Sequence, residues 1–289
     1  MNKYKGKINM NNNALELQAV ITRRDIVQMI YDSKTGHTGG SLSSADIMTV
    51  LYFSVLNVNP TNPKDPNRDY FILSKGHSIE CYLSVLAEKG FFPKDKLKTY
   101  SKFKSDLMGH PSNKIPGIEM NTGSLGHGLS IGVGCALGLK KLNKKNKVFV
   151  LMGDGEQAEG SIWEAVMASA NYNLDNLVAI IDRNRLQISG ETEDIMSLNS
   201  LKDKYEAFNW EVIEVDGNDI AQLSHAFIKE HPNKPLLVIA NTIKGKGIKE
   251  IENIAKWHHG VPTKEIYCSA MKQFEEKEKE IIDEKINFM

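Results

Sequence analysis

The sequence reads Val148-Phe-Val-Leu-Met152 and then Gly153-Asp154-Gly155-Glu156-Gln157-Ala158-Glu159-Gly160, and this junction decides the fold. An uninterrupted apolar run is typical of a strand that is buried on both faces of a sheet. Other short, mainly apolar runs are found at residues 70–73, 177–181, 212–215 and 236–240. Helix-length segments lie between most of them, so the sequence predicts an α/β fold with a parallel sheet flanked by helices.

The rest of the chain predicts a single domain with helical ends. Residues 1–13 are polar and are interpreted as a flexible lead, and residues 14–289 contain no linker that would divide them. A stretch rich in Gly, Thr and Ser at residues 35–44 is predicted to separate two helices, with Ser44 as the cap of the second. The charged segment 264–285 predicts a helical tail on the surface.

Composition excludes several classes of protein. A hydrophobic content of 41 % excludes a disordered chain, and 36 basic against 36 acidic side chains leave no net charge that calls for nucleic acid. No apolar run is long enough to span a bilayer, and the polar N-terminus has no apolar signal core. Cys81, Cys135 and Cys268 are too scattered for a metal site and are typical of reduced thiols, which favours the cytoplasm.

Two strand ends carry oxygen ligands. Asp154 follows the central apolar run and Asn184 follows the next one, at the sheet edge where parallel folds bind ligands. Both side chains suit Mg²⁺ or Ca²⁺, and Gly153 and Gly155 let the backbone approach an anion. A helix that begins near Glu159 or Gly160 would point its N-terminus toward the same place. The alternative is a pair of tight turns in which Asp and Asn have their usual structural roles.

Histidines beside glycines form a second unusual set. His37, His77, His110 and the pair 258–259 all lie in apparent loops or loop–helix junctions. A single histidine of this kind is usually a surface or capping residue, but several in one chain suit the recognition of sugar hydroxyls and phosphate.

An ordered set of short motifs resembles the N-terminal half of transketolases, which use thiamin diphosphate. From about Gly36 to Gly260 the motifs are GHTGGS, LSKGH, GHP, TGSLGHGLS, GDGEQAEG, DRNRLQISG, KGKG and WHHG. The resemblance implies a thiamin-diphosphate-binding domain of the diphosphate (PP) type. It also implies transfer of a two-carbon ketol unit from a ketose phosphate to an aldose phosphate, in pentose phosphate metabolism.

The resemblance further implies which residues bind the cofactor. The side chains of Asp154 and Asn184 and the main-chain carbonyl of Leu186 correspond to the ligands of a divalent cation that bridges to the diphosphate. That cation is Mg²⁺, with Ca²⁺ or Mn²⁺ as alternatives. The other cofactor-binding positions implied by the motifs are His77, Gly123, Ser124, Leu125, Gly155, Lys244 and His258.

The same resemblance implies four catalytic residues. His37 corresponds to the histidine near the reacting carbonyl, and His110 to the one that contacts the terminal hydroxymethyl group of the donor sugar. The late histidine corresponds to His258, which directly follows a tryptophan, with His259 as the alternative. Glu159 corresponds to a glutamate that reaches across the domain interface toward the partner.

One essential group of the family has no counterpart in these residues. The glutamate that activates the cofactor belongs to a pyrimidine-binding domain, C-terminal to the region that resembles this chain. The resemblance therefore implies a heterotetramer with a separate C-terminal subunit, in which the active sites lie between chains. It also implies self-association through the diphosphate domain and sugar phosphates as substrates, with no nucleic-acid or membrane partner. The arginines that select the sugar are implied to lie on the partner subunit.

Three other interpretations remain open at this point. The chain could be a subunit of a 2-oxoacid dehydrogenase or part of a deoxyxylulose-phosphate synthase, because both share the GDG and Asn pattern; the GHP and WHHG motifs favour transketolase. It could also be a non-catalytic cofactor-binding relative, although the full set of polar residues argues against this. A nucleotide-binding Rossmann domain is disfavoured because no GxGxxG motif opens a βαβ unit.

Overall fold

The computed structural model of the chain describes residues 10–287, with side chains up to residue 283. Its strands are β1 (Tyr70–Leu73), β2 (Val148–Gly153), β3 (Leu177–Arg183), β4 (Glu211–Asp216) and β5 (Leu236–Asn241). They form one sheet in the order β1-β2-β3-β5-β4, and every neighbouring pair is parallel. The carboxyl ends of all five strands therefore lie at the same edge.

Helices surround this sheet. Within residues 10–287 the α-helices are α1 (Asn12–Ser33), α2 (Thr38–Ser43), α3 (Ala45–Val50), α4 (Ile79–Lys89), α5 (His127–Lys141), α6 (Gly160–Asn171), α7 (Thr192–Ile195), α8 (Leu201–Ala207), α9 (Ile220–Ile228) and α10 (Lys264–Asn287). None of these helices combines the length and the apolar character that a membrane crossing requires.

The two faces of the sheet belong to different cores. Along β2, Phe149 and Leu151 pack with buried side chains of α1, α3, α4, α9 and α10. The alternate residues Val148, Val150 and Met152 pack with α5, α6 and α8 on the opposite face. Because successive side chains of a strand point to opposite faces, helices on both sides require a strand that is apolar throughout.

The predicted fold class is confirmed, since each of the five apolar runs becomes a strand. Both β1 and β4 lie at a margin of the sheet, but β4 differs from the other four strands in its burial. Its side chains are half-buried or exposed, so they are not enclosed on both faces. The charged tail predicted at residues 264–285 is the helix α10.

Two local predictions are wrong. Residues 35–44 do not simply separate two helices, because Thr38–Ser43 form the short, fully buried helix α2. A Cβ on Gly39 would lie 2.7 Å from the carbonyl oxygen of Trp257, so close packing fixes a conformation that glycine-rich sequence disfavours. Ser44 precedes α3 but does not cap it, because its hydroxyl donates to the carbonyl oxygen of Gly40 at 2.8 Å.

The predicted N-terminal lead is only partly described. Residues 1–9 lie outside the described residues. Helix α1 begins at Asn12, inside the predicted lead, and the Asn11 side chain caps it by accepting a hydrogen bond from the Ala14 amide at 2.9 Å. An asparagine is among the favoured residues at this capping position.

Candidate active site

The two predicted metal-binding side chains follow neighbouring strands. Asp154 comes directly after β2, Asn184 comes directly after β3, and both are buried. One carboxylate oxygen of Asp154 accepts the backbone N–H of Arg185 at 2.6 Å, so the carboxylate lies against the residue that follows Asn184. Its other oxygen accepts the Gly155 N–H at 2.7 Å. The Asp154 carboxylate and the backbone beside Asn184 therefore lie close together, as the parallel sheet predicts.

The third predicted ligand, the carbonyl oxygen of Leu186, accepts a hydrogen bond from a lysine side chain. The Lys244 ammonium group donates to it at 2.7 Å and lies 3.0 Å from Nδ1 of His258. Burial, and then the charge of Lys75, lower the pKa of Lys244 to about 8. A carboxylate, an amide and a carbonyl are the hard oxygen donors that a small divalent cation prefers, so this set fits one.

The set is too poor in protein charge to form a self-sufficient metal site. Among the described residues, no group of three or more His, Cys, Asp or Glu side chains is arranged to hold a metal. Asp154 would be the single carboxylate ligand of the predicted site. Such a site needs further anionic oxygens, of the kind that a diphosphate supplies.

A buried charge network lies beneath these ligands. Asp182 is wholly buried, and it accepts hydrogen bonds from Lys75, Ser43 and Thr242. Burial opposes its negative charge, but the ion pair with Lys75 holds the pKa of Asp182 below its usual value. The Asn184 amide also donates to Asp182 at 3.3 Å, so the network orients a predicted metal ligand.

Four histidine rings meet beside this network. The ring centroid of His37 lies 5.1 Å from that of His77, 5.8 Å from that of His258 and 4.7 Å from that of His259. His77 and His258 are stacked, with centroids 5.2 Å apart. His258 is half-buried and contacts Lys244, whereas His259 is exposed, so both candidates for the late histidine border the cluster from different sides.

His37, His77 and His258 are held in the neutral form. Burial, and next the neighbouring His259, lower the pKa of His37 to about 4. Burial and Lys75 lower the pKa of His77 to about 2, and burial and Lys244 lower the pKa of His258 to about 3. A neutral imidazole offers one donor and one acceptor, which suits hydroxyl groups of a sugar.

The segment predicted to meet the pyrimidine packs against two of the histidine motifs. A Cβ on Gly123 would lie 3.2 Å from the ring of His110, and a Cβ on Gly76 would lie 3.0 Å from the Gly123 amide nitrogen. The loop with Gly76 thus lies against the segment that carries Ser124 and Leu125. Small residues are needed here because backbone and imidazole approach each other closely.

Glu159 lies near the same segment, at the start of α6. A Cβ on Gly126 would lie 2.6 Å from the Cβ of Glu159, and Gly126 has a φ of +82°. Glu159 itself is exposed. It therefore borders the site from the solvent side and is free to meet another chain.

Several buried polar residues of this site were not predicted from the sequence. Lys75 and Asp182 form the central ion pair, and Glu156 accepts the Gly126 N–H at 2.9 Å and the Gly153 N–H at 3.0 Å. Their one sequence signal is a charge at the end of a buried apolar strand, where an unpaired charge would be costly.

The family model described as "Transketolase, thiamine diphosphate binding domain" matches residues 16–284. The chain belongs to the transketolase family. A transketolase of Campylobacter jejuni has the same fold, with a TM-score of 0.87 and 32 % identity over 92 % of this chain and 43 % of that one. This transketolase chain thus spans less than half the length of that protein.

Two relatives match this transketolase chain over almost their whole length. It is 50 % identical to an apulose-4-phosphate transketolase subunit of Phocaeicola vulgatus, over 91 % of this chain and 94 % of the relative. It is 38 % identical to a 6-deoxy-6-sulfo-D-fructose transketolase subunit of a Clostridium species, over 91 % and 97 %. The prediction of the thiamin-diphosphate-binding subunit of a split transketolase, which transfers a ketol unit between sugar phosphates, is confirmed over the alternatives.

Proposed function

We propose that this chain holds thiamin diphosphate through a divalent cation bound by Asp154, Asn184 and the Leu186 carbonyl, and that a separate subunit completes the active site. The observation that carries the proposal is the meeting of Asp154 with the backbone beside Asn184, at the edge where four histidines converge. We propose Mg²⁺ as the cation, with Ca²⁺ or Mn²⁺ as substitutes that the same oxygen ligands accept.

Around that cation the chain offers contacts for both ends of the cofactor. His77 and Lys244 would contact the diphosphate, and Gly155 keeps its approach free of a side chain. The backbone of residues 123–125 would line the pyrimidine end. Lys244 is the group that must rearrange, since it donates to the Leu186 carbonyl that we assign to the cation.

When bound, thiamin diphosphate would supply the carbanion chemistry that ketol transfer requires. The residues of this chain would orient the sugar and move protons at its oxygen atoms. We assign His37 and His258 to the hydroxyl and alkoxide oxygens near the reacting carbonyl, and His110 to the terminal hydroxymethyl group. Neutral imidazoles with lowered pKa accept a proton only transiently, which suits groups that exchange protons with alkoxides.

We propose a heterotetramer in which the partner subunit carries the pyrimidine-binding domain and its activating glutamate. The exposed Glu159 supports a contact with another chain at this place.

A second surface supports self-association of the diphosphate domain, because α5 and α6 present the half-buried Ile131 and Cys135 and the exposed Met167 beside open glycines. Contiguous apolar patches on a surface commonly mark sites where proteins associate. We propose the cytoplasm as the compartment, because the cysteines are few and form no disulfide bond.

We propose apulose 4-phosphate as the first donor to assay, because relatives at 50 % and 48 % identity carry this ketose phosphate in their names. Xylulose 5-phosphate and 6-deoxy-6-sulfofructose are the comparison donors. The arginines that choose among them are assigned to the partner, so the assay requires the assembled complex.

The test combines binding and turnover. This chain alone should bind thiamin diphosphate with Mg²⁺ by calorimetry, and Asp154→Ala should abolish that binding because the site loses its single carboxylate. Ketol transfer should require co-purification with the partner subunit. Transfer by this chain alone would contradict the split site, and unchanged cofactor binding by the Asp154→Ala variant would contradict the metal assignment.

A further inference from the structure

Arg183 connects the predicted metal site to the chain that follows it. It is the last residue of β3, and its side chain is almost completely buried. One guanidinium nitrogen donates to a carboxylate oxygen of Asp154 at 3.0 Å, and the other forms an ion pair with Glu193. A single planar group thus joins a predicted metal ligand to a residue ten positions further along the chain.

Residues 186–199, here called the exit segment, have few apolar anchors. Of their side chains only Thr192 and Leu198 are buried, while Ile188, Ile195 and Met196 are exposed. A segment that buries so little apolar surface depends on polar contacts for its order. Its conformation is therefore sensitive to the loss of a few hydrogen bonds.

Glu193 contacts both Arg183 and the C-terminal part of the exit segment. One of its oxygens meets Arg183, and the other accepts hydrogen bonds from the Ser197 hydroxyl at 2.6 Å and the Leu198 amide at 3.1 Å. Thr192 adds a weaker contact to Asp154 at 3.4 Å. Through Glu193, the guanidinium group therefore holds the far end of the segment close to Asp154.

Arg183 also helps to fix which carboxylate oxygen of Asp154 could bind a metal ion. Among the described residues, the oxygen that accepts from Arg183 also accepts from the Arg185 amide and, at 3.4 Å, from the Thr192 hydroxyl, whereas the other accepts only from the adjacent Gly155 amide. The carboxylate is thereby fixed in rotation with one oxygen largely free. Opposing this, a positive charge so close to Asp154 repels a second cation. Orientation and repulsion thus predict opposite effects of removing Arg183 on metal affinity.

We propose that Arg183 is a positioning residue that couples metal binding at Asp154 to the order of the exit segment, and that its orienting effect outweighs its charge repulsion. The inference rests on the proposed function, because it takes Asp154 as a metal ligand. Hydrogen-bonding neighbours of metal ligands commonly change metal affinity by about 10- to 100-fold when they are removed.

The test uses the complex with its partner subunit, with Mn²⁺ as the probe in the presence of thiamin diphosphate and free Mn²⁺ measured by electron paramagnetic resonance. Arg183→Gln should weaken Mn²⁺ binding by about 10-fold or more. It should also increase proteolytic cleavage within residues 186–199. Glu193→Gln should increase the same cleavage and weaken Mn²⁺ binding less, since the contact of Arg183 with Asp154 is retained.

Arg68→Gln is the matched control. Arg68 forms a largely buried pair with Glu119 and lies just before β1, at the opposite end of the sheet. Its loss should lower the melting temperature without changing Mn²⁺ affinity or cleavage of the exit segment. This control separates a specific coupling from general destabilisation.

Two results would overturn the inference. Unchanged or tighter Mn²⁺ binding by the Arg183→Gln variant would show that repulsion dominates, and unchanged cleavage would show that the exit segment does not depend on this contact. Absence of Mn²⁺ binding by the unmodified complex is a different failure. It would overturn the proposed function, and the inference with it, because Asp154 would have no metal to receive.

Discussion

Two segments border the candidate site, and they are held in different ways. Residues 38–44 are buried throughout, and their hydroxyl and carbonyl groups contact Lys75 and Asp182 beneath the site. The exit segment, residues 186–199, is mostly exposed and is tied down by Arg183 and Glu193. Close packing thus fixes one side of the site, and a few polar contacts fix the other. Substitutions should therefore affect stability on the first side far more than on the second.

The strongest way to break this comparison is to remove the charge at the centre of the packed side. Asp182→Asn leaves the buried ammonium group of Lys75 without a carboxylate, and we expect the free energy of unfolding to fall by about 3–5 kcal/mol. Denaturant titration of this chain measures it. Asp175→Asn, which breaks the half-exposed pair with Lys140, is the control and should cost much less. Equal losses in the two variants would contradict the central role of Asp182.

A smaller effect should appear on acidification of the histidine cluster. The pKa of His77 is lowered from 6.5 to about 2, so between these values the unfolded chain binds more protons than the folded one. The unfolding free energy should therefore fall as pH drops below 6.5, with His77 contributing on the order of 1 kcal/mol per pH unit. Denaturant titrations at pH 7, 6 and 5 should give a flatter pH dependence for His77→Gln than for the unmodified chain. Identical slopes would mean that His77 is not held neutral.

The smallest effect is expected on the exposed side. Met196→Ser should change the free energy of unfolding by less than about 0.5 kcal/mol, because the side chain already contacts solvent. Met152→Ala is the matched comparison, since Met152 is completely buried in β2 and its truncation should cost about 2–5 kcal/mol. A large loss in Met196→Ser, measured by thermal melting, would show that the exit segment is packed more tightly than its exposure indicates.

Sequence alone predicted the parts of the fold whose cause is local. The strand at residues 148–153 is enclosed on both faces, and that burial leaves an unbroken apolar run that can be read directly. The proximity of Asp154 and Asn184 could be predicted because the carboxyl ends of parallel strands share one edge of the sheet. Their roles as metal ligands, like those of the histidines, stay predictions.

The features that the sequence did not predict depend on partners far along the chain. Lys75 and Asp182 are 107 residues apart, and no local pattern marks them as an ion pair. The helix at residues 38–43 contradicts its own glycine-rich composition because Trp257 and Lys244 enclose it. Tertiary packing overrides local propensity in both cases.

The enclosure of Lys75 and Lys244 has a chemical consequence. Both side chains have almost no contact with solvent, at 2 % and 1 % exposure. An amine-reactive reagent must reach the nitrogen before it can acylate it, so the folded chain should keep these two lysines unlabelled while surface lysines react. Peptide mapping of a labelled sample would then show, residue by residue, whether Lys75 and Lys244 have remained buried.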